Sequence, residues 1–147
     1  MRRLLPPALL VLLLAALAAL HAFHGSTPYS MESPRWLAAA FLVIGLAGLI
    51  GARLQFRRSH SEIMTFDTPR NLVTTGLFAM SRNPMYLSLA LIVTGAALLV
   101  DLWCGLLAPA LFFAAANWWY IPFEERAAAA TFGNRDQLYR QRVRRWL

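Results

Sequence analysis

Long apolar runs, broken by short polar segments, dominate the chain. Four of them are long enough to cross a bilayer: about Leu4 to Phe23, Trp36 to about Ala52, Pro84 to near Leu102, and Gly105 to about Ile121. A spanning helix takes roughly 20 apolar residues, with a range of about 17–25. The second and fourth runs sit at the short end, which predicts little tilt. Only Asp101-Leu102-Trp103-Cys104-Gly105 separates the last two, so they form an antiparallel helical hairpin. Polar chemistry gathers in two segments, Gln55 to Asn83 and Pro122 to Leu147. The pattern predicts an all-α integral membrane protein: four transmembrane helices with a helical C-terminal segment on the cytoplasmic side. It is one membrane domain over 1–147, with the first two spans in 1–55 and a second half in 56–147.

Composition narrows the class. The chain of 147 residues is 59% hydrophobic and only 14% charged, which excludes a disordered or nucleic-acid-coating protein. All 14 basic residues are arginine, against 7 acids. Every arginine except Arg35 falls before the first run, between the second and third, or after the fourth. The positive-inside rule then places both termini in the cytoplasm, as in a bacterial inner membrane. Trp36, Trp103, Trp118, Trp119 and Trp146 lie near span ends, where interfacial aromatics belong. Met1-Arg2-Arg3 followed by an apolar run and Ala16-Leu17-Ala18 also has the form of a cleaved signal. No run carries an ionisable residue near its centre, which argues against a proton-coupled exporter. Cys104 is the single cysteine, and His21, His24 and His60 lack ligand spacing, so no metal site is expected.

Two segments carry candidate chemistry. In the first, Leu72 to Thr75 leads to Gly76, predicting an extended stretch and a turn. Asn83-Pro84 is a helix start, with Asn capping and Pro at the first helical position. An open helix N-terminus beside Arg82 suits an anion; the plainer alternative is a span start with Arg82 reaching lipid phosphates. In the second segment, Pro122 and Gly133 are expected to bracket a short helix with Glu124 and Glu125 in its first turn. Carboxylates beside Trp118, Trp119 and Tyr120 suit a cationic ligand, or hydroxyl and amino groups. The tail, Gln137 to Leu147, alternates Arg with apolar residues and reads as a basic interfacial helix on anionic lipid headgroups.

Taken in order, these segments resemble the isoprenylcysteine carboxyl methyltransferase family and its relatives among membrane phospholipid methyltransferases. The matching residues are Leu72-Val73-Thr74 with Gly76, then Arg82 with Pro84 and Tyr86. After the hairpin come Glu124-Glu125, Phe132-Gly133, Tyr139, Val143 and Arg145-Trp146. The resemblance covers roughly Arg70 to Trp146. It implies S-adenosylmethionine as cofactor, with contacts from Arg70, Asn71, Leu72, Val73, Phe78, Asn83, Pro84, Met85, Tyr86 and Glu124. That set suits a molecule with a carboxylate, an ammonium, a sulfonium and a ribose. The helix start at Asn83 suits the carboxylate, Glu124 the ammonium or ribose, and the Leu72-Val73 backbone the adenine edge.

The chain departs from the family at four positions. Asn83 stands for a histidine and cannot titrate. Phe78 stands for a tyrosine, and Asp136 for the first tyrosine of the tail pattern. Tyr120 stands where prenylcysteine enzymes carry a substrate-binding arginine, which argues against a prenylcysteine carboxylate unless Arg126 or Arg145 takes its place. The resulting expectation is methyl transfer to a lipidic or membrane-partitioned acceptor, on oxygen, nitrogen or sulfur. Arg82 and Glu125 are the candidate catalytic residues, Glu125 either as a structural partner or as a base. Tyr120 and Arg145 are candidates for contacting the acceptor. The alternatives are an NADPH-dependent membrane reductase of similar architecture and a non-enzymatic membrane subunit.

Overall fold

The computed structural model describes residues 5–24, 34–58 and 71–147. Of these, 84% are helical and none lies in a strand, so the all-α expectation holds. The helices are α1 (Pro6–His24), α2 (Arg35–Arg58), α3 (Leu77–Met80), α4 (Pro84–Val100), α5 (Leu107–Ala115), α6 (Ile121–Phe132) and α7 (Asn134–Arg142). Three helical rods are long and apolar enough to cross a membrane: α1, α2 and the continuous helix Trp103–Phe132. The shorter apolar α4 lies in their midst. Its 17 residues rise about 25 Å.

Large apolar side chains lie outside as well as in the core, as a bilayer solvent allows. Val11, Leu12, Phe23, Trp36, Val43, Ile44, Leu111 and Trp118 are exposed around the outside. The core forms where α1, α4 and α5 meet, from Leu17, Tyr86, Leu89, Val93, Ala97, Ala108 and Phe112. Packing of α2 on α4 is the most extensive helix contact in the molecule. Small residues make it possible. Ala38, Gly45 and Ala52 recur every seventh residue and are buried along α2. A Cβ on Gly45 would meet the Ser88 carbonyl oxygen at 2.8 Å, and one on Gly95 would meet that of Ala38 at 2.9 Å. Backbone this close lets dispersion hold helices that gain nothing from leaving lipid. Gly45→Val or Gly95→Val is therefore expected to cost about 2 kcal/mol or more, read as an earlier thermal transition in detergent. Val43→Ala, on the exposed face, should melt close to the parent.

The hairpin between α4 and α5 forms as the sequence predicts. Asp101 closes α4 in the left-handed region at φ 58°, and its N–H donates to the Ala97 carbonyl. A single 3₁₀ turn, Trp103–Leu106, then opens the returning helix.

Three expectations need correction. The second helix does not stop near Ala52 but continues to Arg58. Arg53, Leu54 and Gln55 are good helix formers, so the helix outlasts the apolar run. Pro122 in its first turn and Gly133 at its end bracket α6, with Glu124 in the first turn, as expected, but α6 continues the preceding span without a break. The rod passes through a π-turn, Ala116–Tyr120, in which the Ile121 N–H donates to Ala116 five residues back. That wider turn accommodates a proline, which has no N–H and whose ring would crowd the carbonyl four residues earlier. The tail is not one helix from Gln137 to Leu147 either. α7 ends at Arg142, Val143 is extended, and the last residues fold back against the start of α4.

Candidate functional site

The site is assembled where α4 begins. Pro84 occupies the first turn and Asn83 the capping position, as expected. The Asn83 side chain does not cap, however. Its Nδ2 donates to the Arg145 carbonyl at 2.9 Å, so it holds the tail instead. Ser81 Oγ accepts the Asn83 N–H at 3.1 Å, and the Arg82 N–H donates to the Arg144 carbonyl at 3.0 Å. Residues 81–83 thus dock Val143–Leu147 as a strap across the end of the helix.

The π-turn sets which side chains of the long rod face inward. Tyr120 and Glu124, four apart, meet α4. The Tyr86 hydroxyl donates to Glu124 Oε1 at 2.8 Å. The rings of Tyr86 and Tyr120 stack 6.1 Å apart, inclined by 14°. Tyr86 is the hydrogen-bond partner of Glu124 among the described residues, so the second carboxylate oxygen keeps its capacity to accept. A carboxylate beside two tyrosine faces forms a cradle for a cation or for paired hydroxyls.

Glu125 is differently placed. Its Oε1 lies 3.1 Å from Arg82 Nη1 and accepts from Arg145 Nε at 3.2 Å. Its Oε2 lies 2.6 Å from Arg145 Nη2 and 3.9 Å from Arg140 Nη1. One carboxylate thus gathers three guanidinium groups, and its carbonyl oxygen accepts from Arg140 as well. With both oxygens engaged this way, Glu125 has little room to take a substrate proton. The geometry suits the structural role of the two that the sequence left open. Asp136 lies 2.6 Å from Arg140 Nε and turns that side chain toward Glu125. Arg82 Nε is buried without a partner among the described residues. A buried donor of this kind is costly unless an acceptor reaches it.

The strap is held by residues that sequence reasoning missed. Asn117, on the π-turn, accepts from Trp146 Nε1 at 3.2 Å and from Arg145 Nη1 at 3.5 Å. Trp146 is half-buried and stacks on Phe113 with centroids 4.8 Å apart. The spacing of Asn117 and Glu125, eight residues on one rod, was the available signal. Tyr139 is one of the residues that match the family pattern. It donates to the Phe78 carbonyl at 2.6 Å. Burial pushes its hydroxyl up to about 12, so it remains a donor at neutral pH.

The expected cofactor residues fall into two neighbouring groups. Asn83, Pro84, Tyr86 and Glu124 cluster with Arg82, Tyr120, Glu125 and Arg145 at the start of α4. Val73 and Phe78 instead bury their side chains against Ala52, with Phe56 and Met85 packed around them. Leu72 is half-buried and Asn71 exposed, leading into that second group. Arg70 lies outside the described residues. Among the described residues no cluster of His, Cys, Asp or Glu could hold a metal ion.

Comparison with known proteins adds one finding. The model of the phospholipid methyltransferase family matches residues 33–135, from the start of α2 into α7. No curated protein and no solved structure matches the chain.

Proposed function

Since the chain belongs to the phospholipid methyltransferase family and is a membrane methyltransferase, we propose that it uses S-adenosylmethionine to methylate a lipidic or membrane-partitioned small acceptor. The observation that carries this reading is the Tyr86–Glu124 pair under Tyr120, at the helix start that the strap covers. The residues present fit the cofactor. Glu124 has an oxygen to spare for an ammonium or ribose hydroxyls, and the stacked tyrosines suit a sulfonium. The buried, unpartnered Arg82 Nε suits a carboxylate. The Leu72–Val73 backbone, with Asn71 beside it, is free of helical bonding and can meet the adenine edge.

When bound, the cofactor supplies an electrophilic methyl group on sulfur. The protein's contribution is then orientation and exclusion of water. Glu124 and Tyr86 orient the cofactor. Arg82, Glu125 and Arg145 form a charged framework that keeps the strap over it. Tyr120, stacked on Tyr86, is the residue of the site assigned to the acceptor. A sideways route for the acceptor fits the packing: α2 and α5 both lie on α4 and, among the described residues, make no extended contact with each other. The exposed arginines Arg126, Arg135, Arg142 and Arg144 suit anionic lipid headgroups, with both termini cytoplasmic. Family membership favours this reading over a reductase or a non-enzymatic subunit.

Membranes containing the protein, incubated with methyl-labelled S-adenosylmethionine, are expected to yield label in the lipid extract. Label confined to protein would refute the lipidic acceptor, and no label anywhere would refute the cofactor. Thermal stabilisation of the purified protein by NADPH in place of S-adenosylmethionine would revive the reductase.

A further inference from the structure

Gln55 lies at the end of α2, outside every motif that the sequence suggested. Its amide is engaged at both ends. Nε2 donates to the Thr75 carbonyl and lies 3.3 Å from Thr75 Oγ1. Oε1 accepts the Leu77 N–H at 3.2 Å. One side chain thus grips both flanks of Gly76 and caps the short helix α3. Gly76 stands at φ 57° and ψ −126°, a conformation that favours glycine. A Cβ there would also lie 2.6 Å from Gln55 Nε2, so the glycine makes room for the amide.

Two neighbours on the same face of α2 extend the grip. Ala52, three residues before Gln55, is buried against Val73 and Phe78. Phe56, one residue after it, meets Phe78 edge to face at 4.8 Å. The apolar contacts hold the segment down, but they do not set its register along α2. Directional hydrogen bonds do that, and Gln55 supplies them from α2 to Thr75 and Leu77. The far side of the segment is tied through the Phe78 carbonyl to Tyr139.

We infer that Gln55 is a positioning residue for the cofactor: its amide fixes the Leu72–Leu77 backbone relative to the Tyr86–Glu124 pair. The inference rests on the cofactor reading above. Gln55 touches the chain and not the ligand, so its loss should weaken cofactor binding without changing the reacting groups. An unclamped segment must be ordered at each binding event, and that cost falls on affinity.

The test uses the full chain in detergent with S-adenosylmethionine as probe. Gln55→Leu removes both hydrogen-bonding functions at nearly constant size. Gln55→Glu keeps the acceptor for Leu77 and loses the donor to Thr75. Calorimetry should show affinity falling by about tenfold for Gln55→Leu and less for Gln55→Glu. KM for the cofactor should rise in parallel, with kcat at saturation nearly unchanged. Amide hydrogen exchange at Leu77 to Ala79 should speed up without cofactor, most in Gln55→Leu. A merely structural role would lower the melting temperature and the active fraction but leave cofactor affinity alone. Unchanged affinity in both variants overturns the inference while sparing the cofactor reading. If the parent chain does not bind S-adenosylmethionine, both fall together.

Discussion

Replacing Glu124 with alanine is expected to abolish S-adenosylmethionine binding and methyl transfer while leaving the helices folded. Among the described residues Glu124 accepts one hydrogen bond, from Tyr86. Truncating it removes the acceptor for that hydroxyl, a cost of about 1–2 kcal/mol to the fold. The ligand loses more. A partly buried carboxylate facing a cationic or hydroxyl-rich ligand accounts for about 3 kcal/mol, or more than a hundredfold in affinity. Glu124→Gln still accepts from Tyr86 but carries no charge, so it separates shape from electrostatics and should fall between parent and alanine. Tyr86→Phe keeps the ring stack with Tyr120 and removes only the orienting hydroxyl, for a loss of a few-fold. Calorimetry in detergent measures all three. Parent-like affinity in Glu124→Ala would remove Glu124 from the cofactor site.

The parts of this architecture that could be read in advance depend on local chemistry. Apolar run length located the spans, and five intervening residues sufficed for the hairpin. Asn83-Pro84 marked the start of α4 because proline there forfeits nothing. The same local logic placed Pro122 in the first turn of α6 but missed that the helix continues the span before it. A proline after an aromatic run has the form of a helix start, and only the π-turn at Ala116–Tyr120 reconciles it with a continuous rod. Asn83 filled the predicted position but not the predicted role, because the tail carbonyl of Arg145 competes for its side chain. The tail itself was ambiguous in composition. Arginines alternating with Leu138, Tyr139, Val143 and Trp146 fit an interfacial helix as well as a strap. What decides between them is a carboxylate 20 residues away, at Glu125, and an amide 29 residues away, at Asn117. Neither forms any local pattern with the tail. The close α2–α4 approach was equally silent, since glycines in an apolar run do not announce which helix they face.

Glu125→Gln is expected to produce the largest loss of stability among single changes in the site, and to release the strap. Three guanidinium groups share this carboxylate, and removing its charge leaves them facing one another with Asp136 as the remaining counter-charge nearby. Removing one partner of a buried pair costs about 3–5 kcal/mol. Arg140 and Arg145 are 30% and 35% exposed, so water offsets part of this and about 3 kcal/mol is the better expectation. Arg145→Met should cost less, because Glu125 keeps Arg82 and Arg140. The two variants should not add, since Arg145 has less to lose once Glu125 is neutral. Limited trypsin treatment in detergent gives the direct readout, with faster cleavage after Arg144 and Arg145 in Glu125→Gln. The binding consequence follows from the backbone. The carbonyls of Arg144 and Arg145 occupy donors of Arg82, Ser81 and Asn83 at the start of α4. A released strap leaves that helix start open to water and should weaken cofactor affinity even though Glu124 is intact. Parent-like cleavage together with parent-like melting would mean that the strap is held without Glu125, by the bonds from residues 81–83, by Asn117 and by the Phe113–Trp146 stack.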